Sequence, residues 1–129
     1  MTDRSRDWFA QAQRDLNHAR HALDATDYEW ACFAAQQAAE KAVKALAIAL
    51  GGEPWGHSVT ALIAALPAHL VSDATLLERA KVLDKHYIQP RYTNGFDTGV
   101  PGEYYTRGEA DLAIVHGEEI LGFCRDHMG

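Results

Sequence analysis

Between Arg79 and Phe96 the chain gathers side chains that suit a phosphate and a nucleobase. Arg79, Lys81, Lys85 and Arg91 stand there against one acid, Asp84, in a chain whose formal net charge is −6. Tyr87, Tyr92 and Phe96 interleave with them, and Pro90 sets a turn inside the stretch HYIQPRYTNGF. Cationic side chains bind phosphate and aromatic rings stack on bases, so the combination fits a nucleotide or a single-stranded RNA. The same composition also fits a solvated helix face followed by a packed loop.

The other chemistry-bearing residues form weaker patterns. His18 and His21 are three apart and could share a metal, but the nearby Asp15 and Asp24 read as ordinary surface charges, so no metal site is expected. Cys32 and Cys124 lie far apart and outside any C-x-x-C pair, which fits two free thiols in a reducing cytoplasm. Trp8, Trp30 and Trp55 read as core or interface anchors. Tyr104 and Tyr105 either cover a cleft or staple the first turn of the helix that follows. No phosphate-gripping glycine loop, nucleophile elbow or cofactor fingerprint is present, and no cofactor is expected.

Five helices would position these groups. Phe9, Ala12, Leu16, Ala19 and Leu23 recur at steps of three and four and line one stripe of a helix spanning Trp8 to Leu23. Tyr28, Cys32, Ala35, Ala39, Ala42, Leu46 and Ala49 repeat the pattern until Gly51 and Gly52 stop it. Alanine on a buried stripe lets helix axes approach closely, which makes this second helix the centre of a bundle. Its other side carries Gln36, Gln37, Glu40, Lys41 and Lys44, and reads as a salt-bridged exposed face in which Glu40 and Lys44 pair one turn apart. Ser58 can cap a short helix through Leu66. Ser72 or Asp73 can cap a fourth, with Leu76, Ala80, Leu83 and Tyr87 on its stripe and Pro90 as its stop. Arg91 to Tyr105 shows no period and reads as a long loop. Thr106 and Glu109 have the spacing of a capping box, and Ala110, Ala113, Gly117, Leu121 and Cys124 carry the last stripe.

With no competing strand signal, the 129 residues read as one all-α domain. The expected architecture is an antiparallel up-and-down bundle of four main helices plus one short helix. The acidic balance argues against a surface that grips nucleic acid all over, but leaves room for a local basic site. The amino-terminal MTDRSRDWF has no apolar signal core and ALAIAL is too short to span a bilayer, so no membrane association is expected.

Two stretches, ACFAAQQAAEKAVKAL (Ala31 to Leu46) and LDKHYIQPRYTNGF (Leu83 to Phe96), resemble the signature segments of the HEPN family, named for higher-eukaryote and prokaryote nucleotide binding. GHSV, Gly56 to Val59, sits where that family often has a histidine opening its third helix, and Trp8 to Leu23 resembles its first helix. The resemblance implies a bundle related to the C-terminal domain of kanamycin nucleotidyltransferase, homodimers, and a minimal nucleotidyltransferase as partner, in some cases as toxin and antitoxin. It further implies a nucleotide or RNA ligand, and a second helix that borders the cleft beside the proline turn. Gln36 and Glu40 would then fix Arg91 or Tyr87. The basic, tyrosine-rich binding site so expected comprises Arg79, Lys85, His86, Tyr87, Arg91 and Tyr92, with Glu40 and Gln37 behind it.

Ribonuclease members of the family resemble one another in an arginine followed after four to six residues by a histidine. Here Arg79 and His86 satisfy that spacing. The histidine would act as general acid or base on a 2′-hydroxyl and the arginine would hold the phosphate, without a metal. On one continuous helix the two would share a face, about 10 Å apart along the axis. Three functions therefore stand side by side: a nucleotide- or RNA-binding partner of a nucleotidyltransferase, a metal-independent ribonuclease toxin, and a non-catalytic interaction module. The residue after Arg79 is Ala80 where the ribonucleases often have a polar one. Ile88 stands where toxin members can carry a tyrosine that accepts a nucleotide.

Overall fold

A computed structural model describes residues 3–71 and 73–129, and among these the regular structure is entirely helical. The first hairpin pairs α1 (Ser5–Asp24) with α2 (Tyr28–Ala49). The turn between them holds Thr26 at φ 65°, in the left-handed region. Ala12, Leu16, Ala19 and Ala22 form the buried stripe of α1.

The second helix is the centre of the bundle, as its alanines imply: it packs against α1 on one side and α5 (Arg107–His127) on the other. Gly117 of α5 shows how close that packing is, since a Cβ there would come within 3.0 Å of Leu16 Cδ1 and 3.6 Å of the Ala35 carbonyl oxygen. Thr106 caps α5 by the expected capping box: its hydroxyl accepts from Glu109 N, and the Glu109 carboxylate accepts from Thr106 N.

The short α3 (Val59–Ala64) and α4 (Ala74–Asp84) complete the bundle. Ser58 caps α3 by accepting from Ala61 N, and Asp73 caps α4 by accepting from Thr75 N. Ser72, the other capping candidate, lies outside the described residues.

Two expectations about these elements need correction. α4 ends at Asp84, well short of Pro90, so Tyr87 is not on its stripe. Asp84 is drawn onto the start of α3, and the amides of His86 and Tyr87 close three-residue turns on Leu83 and Asp84. Pro90 instead opens a 3₁₀ turn, Gln89–Arg91. The following loop is more structured than its sequence suggests, with 3₁₀ turns at Thr93–Gly95 and Pro101–Glu103.

Candidate functional site

The polar side of α2 is not an exposed face. Gln36, Glu40 and Lys44 are buried, and Glu40 joins Lys44 at 3.1 Å inside the protein. A buried carboxylate and ammonium must be paired and hydrogen-bonded to offset their lost hydration, and here the additional partners come from distant parts of the chain. Glu40 Oε2 lies 3.3 Å from His57 Nδ1, and the Gln36 amide donates to the His57 carbonyl at 2.9 Å. Gln37 stands behind this pair, donating to Gln36 Oε1 at 2.9 Å.

Asp84 fastens the same region from the other side. Its carboxylate accepts from the backbone amides of Val59 and Thr60 at 2.8 and 2.9 Å, from the Thr60 and Ser58 hydroxyls, and at 3.4 Å from Gln36. The acid in the basic window is thus a clamp on the first turn of α3, where free amides and the helix dipole favour a negative charge.

His57, held by Glu40, stacks on Tyr87 with ring centroids 5.0 Å apart and planes 16° from parallel. Arg91 folds back on the same ring. Its Nε donates to the Tyr87 carbonyl at 2.8 Å, and its guanidinium lies 4.5 Å from the Phe33 ring centroid, 4.7 Å from that of Tyr87 and 5.3 Å from that of Tyr92. Among the described residues no carboxylate pairs with Arg91. Tyr87 and Tyr92, on whose rings Arg91 rests, also line a hollow of about 450 Å³ together with Asp84, Lys85, Ile88, Gln89, Asn94 and Gly95, so Arg91 adjoins the hollow through these two rings and does not itself line it. Lys85, Ile88 and Tyr92 are exposed at its rim.

The structure brings together Lys85, Tyr87, Arg91 and Tyr92, with Glu40 and Gln37 behind, but by a different route from the one expected. Among the described residues Gln36 and Glu40 make no hydrogen bond or ion pair to Arg91; they hold His57, and His57 bears on Tyr87.

Arg79 and His86 are separated from each other in their contacts. Because α4 ends before His86, the two do not share a helix face. Arg79 turns to α5, where its Nε meets Glu119 Oε2 at 2.5 Å. His86 is buried with Nδ1 3.2 Å from the Tyr105 hydroxyl, and burial pushes its imidazole below the ordinary histidine value, against an upward pull from Glu109.

Phe33, His57 and Asp84 belong to the site although sequence reasoning gave them no role in it. Phe33 was recoverable, since Phe33, Gln36, Glu40 and Lys44 follow one another at steps of three and four along α2. The three tryptophans are not core residues: Trp30 and Trp55 are exposed and Trp8 is half-buried beneath the Lys44 ammonium. Tyr105 is buried, whereas Tyr104 stacks on Phe96 at 4.4 Å and stays about half exposed. Among the described residues no cluster of three or more His, Cys, Asp or Glu is arranged to hold a metal, and no helix is long and apolar enough to cross a membrane.

The family model described as the HEPN domain matches residues 5–127. The chain belongs to the HEPN family. It is similar to TT1696 of Thermus thermophilus, whose crystal structure superposes with a TM-score of 0.94 at 46% identity over 98% of this chain and 99% of that one. ST0689, an archaeal HEPN homologue, superposes with a TM-score of 0.83 at 41% identity over 99% of this HEPN chain and 100% of the other. A protein of Methanocaldococcus jannaschii named "Putative toxin MJ1304" is 26% identical over 130 residues, 94% of this chain and 86% of that protein.

Proposed function

We propose that this HEPN domain binds a nucleotide or RNA in the hollow beside Arg91, as the partner of a minimal nucleotidyltransferase in a toxin–antitoxin-like pair. The observation that carries the reading is the setting of Arg91. Its charge is balanced by the π faces of Phe33, Tyr87 and Tyr92 and by one carbonyl, with no carboxylate, so hydrogen-bond donors remain for an anion. Tyr92, half exposed, offers a face to a base, and Lys85 adds a second cation at the rim. The name of the M. jannaschii relative supports the toxin–antitoxin part of the reading.

The same setting favours binding over cleavage by Arg79 and His86. One is engaged by Glu119 and the other is buried against Tyr105. The reading also has the protein act as a cytoplasmic homodimer. Leu112 and Val115 are about half exposed on the outer side of α5 and supply an apolar surface that a second copy can cover. Light scattering after gel filtration should return twice the chain mass; a monomer at micromolar concentration would contradict the dimer.

Titration of mononucleotides and short single-stranded RNA tests the binding site. Arg91→Ala should weaken binding by roughly tenfold or more, the worth of a charge-assisted contact to phosphate, while the bundle stays folded by circular dichroism. Arg79→Ala should bind like the parent. Equal affinity of the parent and Arg91→Ala would place the ligand elsewhere or remove it.

A further inference from the structure

We infer that the ligand of this site is a single-stranded stretch of more than one nucleotide, with a base stacked on Trp30. The inference rests on the reading of Arg91 as the anion-binding group, and adds a second base subsite and the strandedness of the ligand. Trp30 stands near the start of α2 with 45% of its surface exposed. Its ring meets that of Phe33, one turn further along the helix, edge to face, with centroids 6.1 Å apart and planes at 82°. Phe33 lies 6.4 Å from Tyr87, and Tyr87 stacks on His57 at 5.0 Å. Four rings thus follow one another without a break from Trp30 to His57.

Arg91 bears on the middle of this row. Its guanidinium lies over Phe33 and Tyr87, which are themselves half-buried, and over Tyr92 beside them. The aromatic side chains left open to a base are Trp30 and Tyr92, the latter 51% exposed. The charges divide the two. Lys85 shares the lining of the hollow with Tyr92, and Arg91 touches the Tyr92 ring, so the cations that would hold a phosphate gather on that side. Trp30 follows the acid Glu29 in the chain and offers a surface to an uncharged base, not to a phosphate.

A mononucleotide with its phosphate at Arg91 and its base on Tyr92 leaves the indole unused. Trp30 and the guanidinium both bear on the Phe33 ring, so the neighbouring base of a strand has that one ring to pass. In a duplex the faces of the bases are stacked inside the helix and closed to both platforms. An unpaired strand can splay its bases onto separate rings. Because every base has a face to stack, the row selects for an unpaired strand and for its length, and not for the identity of the base.

The test is calorimetric titration of UMP, hexauridylate and a blunt RNA duplex into the full chain, repeated with Trp30→Ala, Trp30→Phe and Arg91→Ala. Hexauridylate should bind roughly tenfold tighter than UMP, the order of one added base–aromatic stack, and the duplex no tighter than UMP. Trp30→Ala should remove most of that gain while leaving the affinity for UMP as in the parent, a split that a merely structural role would not produce. Trp30→Phe should keep part of the gain, and Arg91→Ala should weaken UMP and hexauridylate alike. Hexauridylate no tighter than UMP, with both sensitive to Arg91→Ala, would overturn the extended strand and leave the nucleotide site standing. A gain undiminished in Trp30→Ala, or duplex bound as tightly as the single strand, would overturn the role of the indole. A Trp30→Ala protein that bound both like the parent but lost its dimer in gel filtration would assign Trp30 to a protein interface and overturn the inference. Binding of neither UMP nor hexauridylate would overturn it together with the reading beneath it.

Discussion

Arg91 shows how a cation can be held without being neutralised. Its Nε is tied to the Tyr87 carbonyl and its flat face rests among aromatic rings, with no carboxylate paired to it among the described residues. His86, only five positions earlier, has the opposite fate. It is buried against Tyr105, and desolvation favours its neutral form. The consequence for stability has a definite sign. The unfolded chain takes up the proton more readily than the folded one, so the contribution is complete above the ordinary histidine value of 6.5 and is lost as the pH falls through and below it. His116, lowered by desolvation as well, adds in the same direction. Urea midpoints should therefore fall between about pH 7 and pH 5, and His86→Gln should flatten that slope relative to the parent. A slope identical in the two proteins would assign the effect to other groups.

At the scale of elements, the joint between α3 and α4 organises the site. Asp84 ends one helix and begins the hydrogen bonding of another, so the backbone turns immediately afterwards and delivers Tyr87 to His57 and Arg91 to Phe33. Asp84→Ala would leave the amides of Val59 and Thr60 without their acceptor at the partly buried start of α3. A loss of about 2 kcal/mol or more in urea unfolding is expected, with nucleotide binding weakened as the turn loosens. Full stability in the variant would show that α3 is capped well enough by Ser58 alone. This joint is not legible in the sequence. Asp84 counts there as one acid among bases, and its partners are more than twenty residues away. Pro90 reads as the end of α4 because a proline disfavours helix before it, but a carboxylate drawn to another helix ends α4 first.

For the molecule as a whole, what periodicity reports is readable and what tertiary partners decide is not. The alanine stripe of α2, the stripe of α5 and the Thr106–Glu109 capping box depend on residues a few positions apart, and all three stand in the structure. The burial of Gln36, Glu40 and Lys44 depends on His57 and the region beyond it, so in sequence the polar side of α2 resembles a solvated face. Resemblance to the HEPN family supplies the neighbourhood of α2 and the proline turn, but not the contacts within it.

The hollow beside Arg91, on the reading proposed above, is where this HEPN protein meets its ligand. The most direct measurement is a heteronuclear NMR titration of the labelled protein with AMP. Amide shifts concentrated at residues 85–95 and at His57, saturating with one ligand per chain, are the predicted result. Shifts confined to the apolar groove around Trp55, or none at millimolar ligand, would contradict it.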